Sequence, residues 1–382
     1  MEGMKVPVRL LRPPGSASPL HDARTATVVG RLLGPALAVC LVTGVVSHYL
    51  KHPPGPLLDV LPTRPVWGYR LSQGLHVASG TAAVPLLLAK LWVVYPRLFT
   101  WPPVRSLLHA LERLSVALLV ASAVFEVFSG LLNTAQWYPW PFSFVPVHFA
   151  VAWLLAGAVL LHLAVKAPVV AAHWRRHRAG AAPADPDARD RRSFLAGLGA
   201  AAAAVTVTTV GQSLTPLAPL DLLAPRHPGH GEQQLPVNRT AEAAGTAALD
   251  AGSWHLTVSG PRPCRLSLDQ LRAMPQHEVE LPIACVEGWS KSARWTGVRV
   301  ADLLDRVAAP PGSRVRVTSL QTHGPYRVSE LPPTHARDPL TLLALTLNGQ
   351  PLSPDHGFPA RIIAPNRPGV LQTKWVGLLE VS

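Results

Sequence analysis

Four long apolar runs occupy the amino-terminal half of the sequence and are separated by short polar segments. They cover Leu32 to Leu50, Leu71 to Tyr95, Leu107 to Leu132 and Phe144 to Ala172. Each approaches or exceeds the roughly 20 apolar residues that an α-helix needs to cross the hydrocarbon core of a bilayer. A fifth run, Phe194 to Leu214, is rich in Ala, Thr and Val and is less hydrophobic. The pattern predicts a membrane bundle of four helices followed by one anchoring helix.

Short stretches with a period of two residues replace the long apolar runs in the last third of the chain, after a polar, Pro-rich and Gly-rich linker. This alternation is typical of β-strands that are buried on one side. A capping box formed by Ser267 and Gln270 predicts a short helix between two of the strands. Strands are predicted at 254–259, 279–284, 315–319, 342–347, 361–364 and 375–381, and helices at 268–273 and 300–307. The carboxy-terminal part is therefore predicted to be an α+β domain.

These patterns divide the sequence into six predicted segments. They are a cytoplasmic tail (1–26), a four-helix transmembrane domain (27–175), a cytoplasmic linker (176–192), a fifth transmembrane helix (193–214), a second linker (215–234) and the α+β domain (235–382).

The distribution of charge adds a predicted orientation in the membrane and leaves the predicted segments unchanged. The 35 Lys and Arg residues exceed the 22 Asp and Glu residues and give a net charge of +13, yet only 15% of all residues are charged. The basic residues cluster before the first run, between the second and third, and after the fourth, which by the positive-inside rule predicts a plasma-membrane protein with a cytoplasmic amino terminus. Five crossings then leave the α+β domain outside the cell. Apart from Trp174, no aromatic residues interleave with the basic clusters, which argues against a nucleic acid partner.

A pair of arginines precedes the fifth run. The string Arg191-Arg192-Ser193-Phe194-Leu195 resembles a twin-arginine export signal, which implies contact with the export machinery and an outer domain that folds around its cofactor before export. The alternative is that the two arginines anchor a helix at the inner face of the membrane.

Histidines inside predicted spans indicate function, because a polar side chain in lipid is costly without a partner. His148 and His162 lie 14 residues apart on the fourth span. Fourteen residues correspond to a rise of about 21 Å and to nearly a whole number of helical turns, so both side chains lie on one helix face. This spacing suits two stacked b-type haems. His76, with His48 as competitor, is the candidate second ligand of the outer iron, and His109 that of the inner iron. The alternative is that these histidines hydrogen-bond backbone or water near the membrane surfaces.

Residues 27–175 with their histidines resemble the bacterial cytochrome b561-type membrane subunits, so we expect one or two haems b.

The region around Cys285 carries a second resemblance. The string Ile283-Ala284-Cys285-Val286-Glu287-Gly288-Trp289-Ser290, followed by Trp295-Thr296-Gly297, is similar to the molybdenum-pterin domain of the sulfite oxidase family, nearest to the periplasmic methionine-sulfoxide reductase catalytic subunit. The resemblance implies that Cys285 is the protein ligand to molybdenum, a role that suits a soft thiolate. The alternatives are that Cys285 is a small buried apolar side chain or forms a disulfide with Cys264.

Two further blocks, Leu347-Asn348-Gly349-Gln350-Pro351-Leu352 and Asp355 to Arg361, and the string Lys374-Trp375-Val376-Gly377 extend the resemblance over about 235–382. They imply contacts to molybdopterin and its phosphate from His356, Arg361 and Lys374, with backbone amides from Gln372 and Thr373. Asn238, Glu242 and Ser319 are implied as further contacts. The alternative is that the basic residues are surface charges. Because the sequence stops at Ser382, we expect no immunoglobulin-like dimerisation domain of the kind that other family members carry.

The chain departs from its sulfite-oxidising relatives at two places. Leu345 replaces a tyrosine before the Asn-Gly turn, and Val286 to Ser290 replaces a basic stretch after the cysteine. Both changes remove groups that would bind sulfite. We therefore expect a membrane-bound molybdopterin oxidoreductase that reduces a small S-oxide or N-oxide by oxygen-atom transfer, with electrons from the quinone pool through b-type haem. The alternatives are an oxidase of a small sulfur compound that passes electrons inward, and a non-catalytic membrane-anchored module that keeps the fold without metal.

Overall fold

The computed structural model describes residues 18–102, 104–178 and 188–382, and it describes the backbone alone over 168–178 and at 215. Parts of the predicted cytoplasmic tail and linker, 1–17 and 179–187, lie outside the described residues. The chain divides into two compact units. The first contains the described residues up to Leu41 and Ala78–Thr206, and the second contains Val42–Val77 and Val207–Ser382. The segment Val42–Val77, which we expected in the membrane domain, thus belongs to the same unit as the carboxy-terminal domain.

Five long helices correspond to the five apolar runs. They are α1 (Ala23–Lys51), α3 (Gly68–Leu98), α4 (Leu107–Thr134), α5 (Phe144–Arg178) and α6 (Ala188–Val210), with the short α2 (Gly55–Leu58) after α1. All five are long and apolar enough to cross a membrane, with mean hydropathies of 1.7 to 2.2 over their best 18-residue windows. Helix α6 begins before the predicted Phe194, because Ala188 and the arginines that follow it are good helix formers, and it ends just before Gly211. The twin-arginine pair therefore lies inside this helix.

The first unit has a buried apolar cluster and also exposes many large apolar side chains. Its buried cluster consists of Val29, Leu33, Ala83, Leu86, Leu87, Ala123, Leu155, Leu198 and Ala202. Leu107, Leu114 and Leu160 are among the many large apolar side chains that remain exposed. An apolar exterior of this extent would be unfavourable in water and suits a lipid environment. These helices indicate a membrane protein.

The second unit contains ten strands in two five-stranded sheets. The strands are β1 (His255–Ser259), β2 (Cys264–Ser267), β3 (His277–Ala284), β4 (Ser290–Arg299), β5 (Val315–Ser319), β6 (Val328–Leu331), β7 (Leu342–Leu347), β8 (Gln350–Pro351), β9 (Arg361–Ile363) and β10 (Val376–Val381). One sheet has the order β2-β1-β10-β5-β6, and the other has the order β3-β4-β7-β8 with β9 also paired to β7. Among the strands of this described unit, β1 and β10 are the one parallel pair. The short helices α7 (Ala241–Ala244), α8 (Leu268–Ala273), α9 (Val300–Arg306) and α10 (Pro333–Ala336) connect the strands.

The predicted fold class, a membrane helical bundle with one further helix followed by an α+β domain, is confirmed. The predicted capping box is present, since Gln270 N–H donates to Ser267 Oγ at 3.2 Å and Ser267 N–H donates to Gln270 Oε1 at 2.9 Å. Strands β2, β4, β6 and β8 were not predicted. Strand β4 opens with the polar residues Ser290-Lys291-Ser292, yet it pairs with β3 on one side and β7 on the other. Pairing on both edges decides its conformation, and local sequence does not reveal that pairing.

The disulfide alternative for Cys285 is wrong. Cys40, Cys264 and Cys285 are all free thiols. Cys264 begins β2 in one sheet, whereas Cys285 follows β3 in the other.

Ion pairs hold the segment between α1 and α3 to the sheets within the second unit. The Arg314 guanidinium donates to both carboxylate oxygens of Asp59, at 2.8 and 2.7 Å. Arg64 donates to the largely buried carboxylate of Asp338 at 2.9 Å. A bidentate pair fixes direction as well as distance, so these contacts orient the chain as it enters α3.

Candidate functional site

Cys285 lies in the tight connection between β3 and β4. Its N–H donates to Trp289 O at 2.9 Å, and its carbonyl accepts from Gly288 N–H at 3.1 Å. Gly288 has a φ of +101°, a conformation that side chains with a Cβ rarely adopt. The Cys285 side chain is 5% exposed. The sulfur is thus held at the end of a strand by a closed backbone turn.

The Cys285 sulfur receives one side-chain hydrogen bond inside a mostly apolar cluster that includes Ile283 and Trp289. Asn238 Nδ2 donates to Sγ at 2.8 Å, and the indole N–H of Trp289 holds the same amide by donating to Asn238 Oδ1 at 3.1 Å. Burial raises the pKa of the thiol to about 12, and the Glu287 carboxylate acts in the same direction, while nearby backbone N–H groups and the Asn238 amide oppose them. The thiol is therefore protonated at neutral pH, and a metal that binds it must displace the proton.

Arg361, on β9, is a buried cation. It is 2% exposed, and burial lowers the pKa of its guanidinium to about 9. Its two terminal nitrogens donate to His356 O at 3.0 Å and Gln372 O at 3.2 Å, and its Nε has no hydrogen-bond partner among the described residues. The guanidinium also lies 5.1 Å from the centroid of the Trp295 ring. Within the described part of the chain no carboxylate forms an ion pair with it.

Lys374 is a second cation in the same region. Its Nζ donates to Asp355 O at 2.6 Å and Arg239 O at 3.1 Å and lies 5.2 Å from the centroid of the Trp375 ring. Burial, followed by the charge of Arg361, lowers its pKa to about 7, although Asp355 and Cys285 act in the opposite direction. A buried and a half-buried cation close to each other, without ion-pair partners in the described residues, are costly unless an anion binds them. This arrangement fits the phosphate of molybdopterin, and the Cys285 thiol fits a soft metal.

The pKa of Lys374 predicts how the stability of cofactor-free protein depends on pH. Between pH 7 and the ordinary pKa of 10.5, the unfolded chain binds a proton at this lysine that the folded chain loses. The free energy of unfolding should therefore rise with pH in this window, by up to about 1 kcal/mol per pH unit, and become independent of Lys374 titration below pH 7. Denaturant unfolding of the wild type and of Lys374→Met at several pH values measures this difference. The prediction would be contradicted if the free energy of unfolding depended on pH in the same way in the two proteins.

The structure brings other predicted contacts close to these cations. His356, in a turn of 3-10 helix, donates Nε2–H to Glu232 O at 2.7 Å, and burial lowers its pKa to about 4, so the ring is neutral at pH 7. Ser319 Oγ donates to Lys374 O at 2.8 Å. Gln372 and Thr373 directly precede Lys374; Gln372 N–H donates to Gly369 O, and Thr373 Oγ1 lies 2.6 Å from Ser329 Oγ.

Asn238 contacts Cys285 directly, whereas Glu242 is exposed on α7. The structure therefore places Cys285 with Asn238, and Arg361 with Lys374, His356 and Gln372. The roles of all these residues toward a pterin stay predictions.

Three of the predicted haem histidines lie in the first unit. His148 Nδ1 is 2.9 Å from Ser129 Oγ and 3.2 Å from the Glu126 carboxylate. His109 lies in the first turn of α4, where its Nδ1 accepts from Arg105 N–H at 3.2 Å. His162, on α5, lies near the charges of Lys90, Lys166 and Glu112.

The other two histidines lie in the second unit. A Cβ at Gly44 would be only 2.8 Å from His76 Cε1, so the His76 ring packs closely on the backbone of α1. The His48 ring lies 5.3 Å from that of His52, measured between centroids. The described residues contain no group of three or more His, Cys, Asp or Glu side chains that could hold a metal ion. A haem with two histidine ligands, or molybdenum with one cysteine, needs no such group.

Residues of α3 that the sequence did not single out contact the Cys285 loop. Gln73 Nε2 donates to Val286 O at 2.9 Å, and Val77 packs against Gly288. Both contacts join residues more than 200 positions apart, and no motif marks them.

Comparison with known proteins places the carboxy-terminal part in a family. The family profile described as oxidoreductase molybdopterin binding domain matches residues 243–382. Mitochondrial sulfite oxidase from Rattus norvegicus is 32% identical over 167 residues, which is 35% of this chain and 30% of that protein. The protein-methionine-sulfoxide reductase catalytic subunit MsrP from Xanthomonas campestris pv. campestris is 33% identical over 155 residues, which is 36% and 47% of the two chains.

A third relative, the uncharacterized oxidoreductase YuiH from Bacillus subtilis, is 31% identical over 130 residues, covering 33% of this chain and 64% of that protein. The chain thus spans less than two thirds of the length of each of these three relatives. The match covers Cys285, Arg361 and Lys374. Residues 243–382 therefore form a molybdopterin-binding oxidoreductase domain of the sulfite oxidase type, in one chain with a helical region that has five candidate membrane spans.

Proposed function

We propose that the chain is a membrane-bound reductase of small S-oxides or N-oxides that uses molybdopterin and takes electrons from quinol through b-type haem. The observation that carries this proposal is the Cys285 sulfur, held at a strand end by a closed turn and an asparagine amide. The S-oxide class is supported by the similarity to a protein-methionine-sulfoxide reductase catalytic subunit.

In this proposal Cys285 binds molybdenum, and Arg361 and Lys374 bind the anionic end of the pterin. His356, Gln372, Thr373, Ser319, Asn238 and Glu242 are the further proposed pterin contacts. The bound cofactor supplies oxygen-atom transfer. The chain supplies ligation and orientation, and it excludes water, since Cys285 and Arg361 are 5% and 2% exposed. The neutral His356 ring adds no charge and holds its loop through Glu232.

The proposed reaction is balanced by two electrons and two protons. The S–O bond of the substrate breaks, the sulfur is reduced to a thioether, and the oxygen leaves as water. A quinol supplies both electrons and both protons and becomes a quinone.

We propose His148 and His76 as ligands of the outer haem, with His48 as the alternative to His76, and His162 with His109 as ligands of an inner haem. The contacts of His148 support its role. A carboxylate and a hydroxyl at Nδ1 fix the ring and raise its basicity, as partners of metal-bound histidines usually do. Haem iron would then bind Nε2.

We propose that the helices cross the plasma membrane and that the molybdopterin domain lies outside the cell. The clusters of basic residues before the first span, between the second and third spans and after the fourth support this orientation. The Arg191–Arg192 pair supports export by the twin-arginine machinery, in which a domain is folded and loaded with its cofactor before export.

A second candidate function runs the same chemistry in the opposite direction. The 32% identity to mitochondrial sulfite oxidase favours an oxidase of a small sulfur compound that passes electrons to quinone. The two candidates differ in substrate and in the direction of electron flow, and both need molybdenum.

The experiment that tests the proposal is metal and haem analysis of full-length protein purified in detergent. We expect about one molybdenum per chain and a b-type α-band in the reduced-minus-oxidised spectrum. Sulfoxides or N-oxides should oxidise a reduced dye in its presence, whereas sulfite should not reduce an oxidised dye. Folded protein without molybdenum would instead identify a non-catalytic module, and a missing α-band would remove the haem assignments.

A further inference from the structure

The first turns of α3 cover the loop that carries Cys285. Gln73 donates its side-chain amide to Val286 O at 2.9 Å. One turn further along, Val77 packs so closely on Gly288 that an added Cβ there would be 2.7 Å from Val77 Cγ2. Residues at positions i and i+4 share a helix face, so this face of α3 lies on the loop from Cys285 to Gly288. All these residues belong to the second compact unit.

Tyr69 lies one turn before Gln73 on the same face. Its backbone N–H donates to Asn366 Oδ1 at 2.6 Å, and the same amide side chain donates to Pro62 O at 2.7 Å. Asn366 thereby fixes the start of α3. Tyr69 is 2% exposed, so almost the whole ring lies inside the protein.

The Tyr69 hydroxyl ends an almost fully buried ring, and the structure records no hydrogen bond between this hydroxyl and another residue in the described part of the chain. Because Tyr69 shares its helix face with Gln73 and Val77, which both contact the Cys285 loop, the phenol faces the same loop. Its electrostatic interaction with Cys285 agrees with this position. A hydroxyl that donates no hydrogen bond within the protein can donate one to a ligand that brings an acceptor.

We propose that Tyr69 binds substrate at the Cys285 site by donating a hydrogen bond from its hydroxyl to the oxygen of the S-oxide. This inference rests on the proposed function and names a specificity residue for it. The S-oxide oxygen carries partial negative charge and accepts hydrogen bonds strongly, whereas the thioether product has no oxygen to accept one. The hydroxyl therefore favours substrate over product, and helix α3 contributes directly to the site.

The test compares ligand binding to oxidised, molybdenum-loaded, full-length protein, in which no turnover occurs. The probes are methyl p-tolyl sulfoxide and the corresponding thioether, with dissociation constants measured by calorimetry. In Tyr69→Phe we expect about tenfold weaker sulfoxide binding, unchanged thioether binding and unchanged molybdenum content. Tyr95→Phe is the matched control, because it removes the same atom from a tyrosine on the same helix that is 41% exposed.

Equal sulfoxide affinity in loaded wild type and Tyr69→Phe would overturn the role of Tyr69 and leave the proposed function intact. Wild-type protein without molybdenum would overturn the proposed function and this role with it.

A second measurement tests the position of Tyr69 without the cofactor. In cofactor-free Tyr69→Ala, N-ethylmaleimide should modify Cys285 at least about fivefold faster than in wild type, because removing a buried ring from the α3 face that packs on the Cys285 loop opens access to the sulfur. Mass spectrometry follows the Cys285 peptide, and the Cys264 peptide serves as the internal reference, whose rate should not change. An unchanged Cys285 rate would show that Tyr69 does not cover the site.

Discussion

Cys285→Ser should reduce turnover on the order of 1,000-fold or more, which corresponds to about 4 kcal/mol of transition-state stabilisation. Serine is of similar size, but its hydroxyl is a harder and far less acidic ligand than a thiol. The pterin content should stay within about twofold of wild type, because the proposed anion contacts come from Arg361 and Lys374 and not from the sulfur. Thiolate-to-metal charge-transfer absorption should disappear.

The control for this variant is Cys264→Ser, which makes the same change at the first residue of β2 in the other sheet. It should keep wild-type turnover and absorption. Activity retained in Cys285→Ser, or lost equally in both variants, would contradict the role of Cys285 as metal ligand.

Arg361→Met should lower the pterin content of the purified protein at least about tenfold, because it removes a buried cation that we propose to bind the phosphate. The same substitution should change the stability of the cofactor-free protein only slightly. Replacing a buried, uncompensated charge by an apolar side chain is neutral or stabilising, while the two lost hydrogen bonds to His356 and Gln372 carbonyls cost about 1 kcal/mol each. We therefore expect the free energy of unfolding to change by less than about 2 kcal/mol.

Fluorescence of the oxidised, released pterin measures the content, and denaturant unfolding measures the stability. Arg265→Met, at an exposed position on β2, is the control and should change neither quantity. A large loss of stability in cofactor-free Arg361→Met would show that the guanidinium is structural and would contradict the prediction.

Local sequence predicted the helices and most strands because their signals are local. A run of about 20 apolar residues can satisfy its backbone in lipid only as a helix, and alternation marks strands such as β5 that are buried on one side. The motif around Cys285 likewise identified the candidate ligand, since it lies in one continuous stretch. Strand β4 was not predicted because its polar start is stabilised by pairing with β3, and its second half pairs with β7 as well.

The contacts that complete the site could not be predicted from the sequence. Gln73 lies in what was interpreted as a membrane helix and Tyr69 lies just before it, and nothing near them in sequence indicates that this segment meets a loop more than 200 residues later. Asn366 looks like an ordinary turn residue, yet its side chain fixes the first turn of α3. Such contacts depend on how distant elements pack, which neither spacing nor residue type reveals.

The packing of α3 on the Cys285 loop limits how this protein can be shortened. A soluble fragment starting after α6 would keep all of 243–382 and every motif of the family, but it would lack Gln73, Val77 and Tyr69. The turn at Gly288 would then face bulk water. The oxidoreductase domain therefore needs a segment that lies more than 200 residues before the Cys285 loop in the chain, and excision at the family boundary removes part of the protein that packs around the proposed metal ligand.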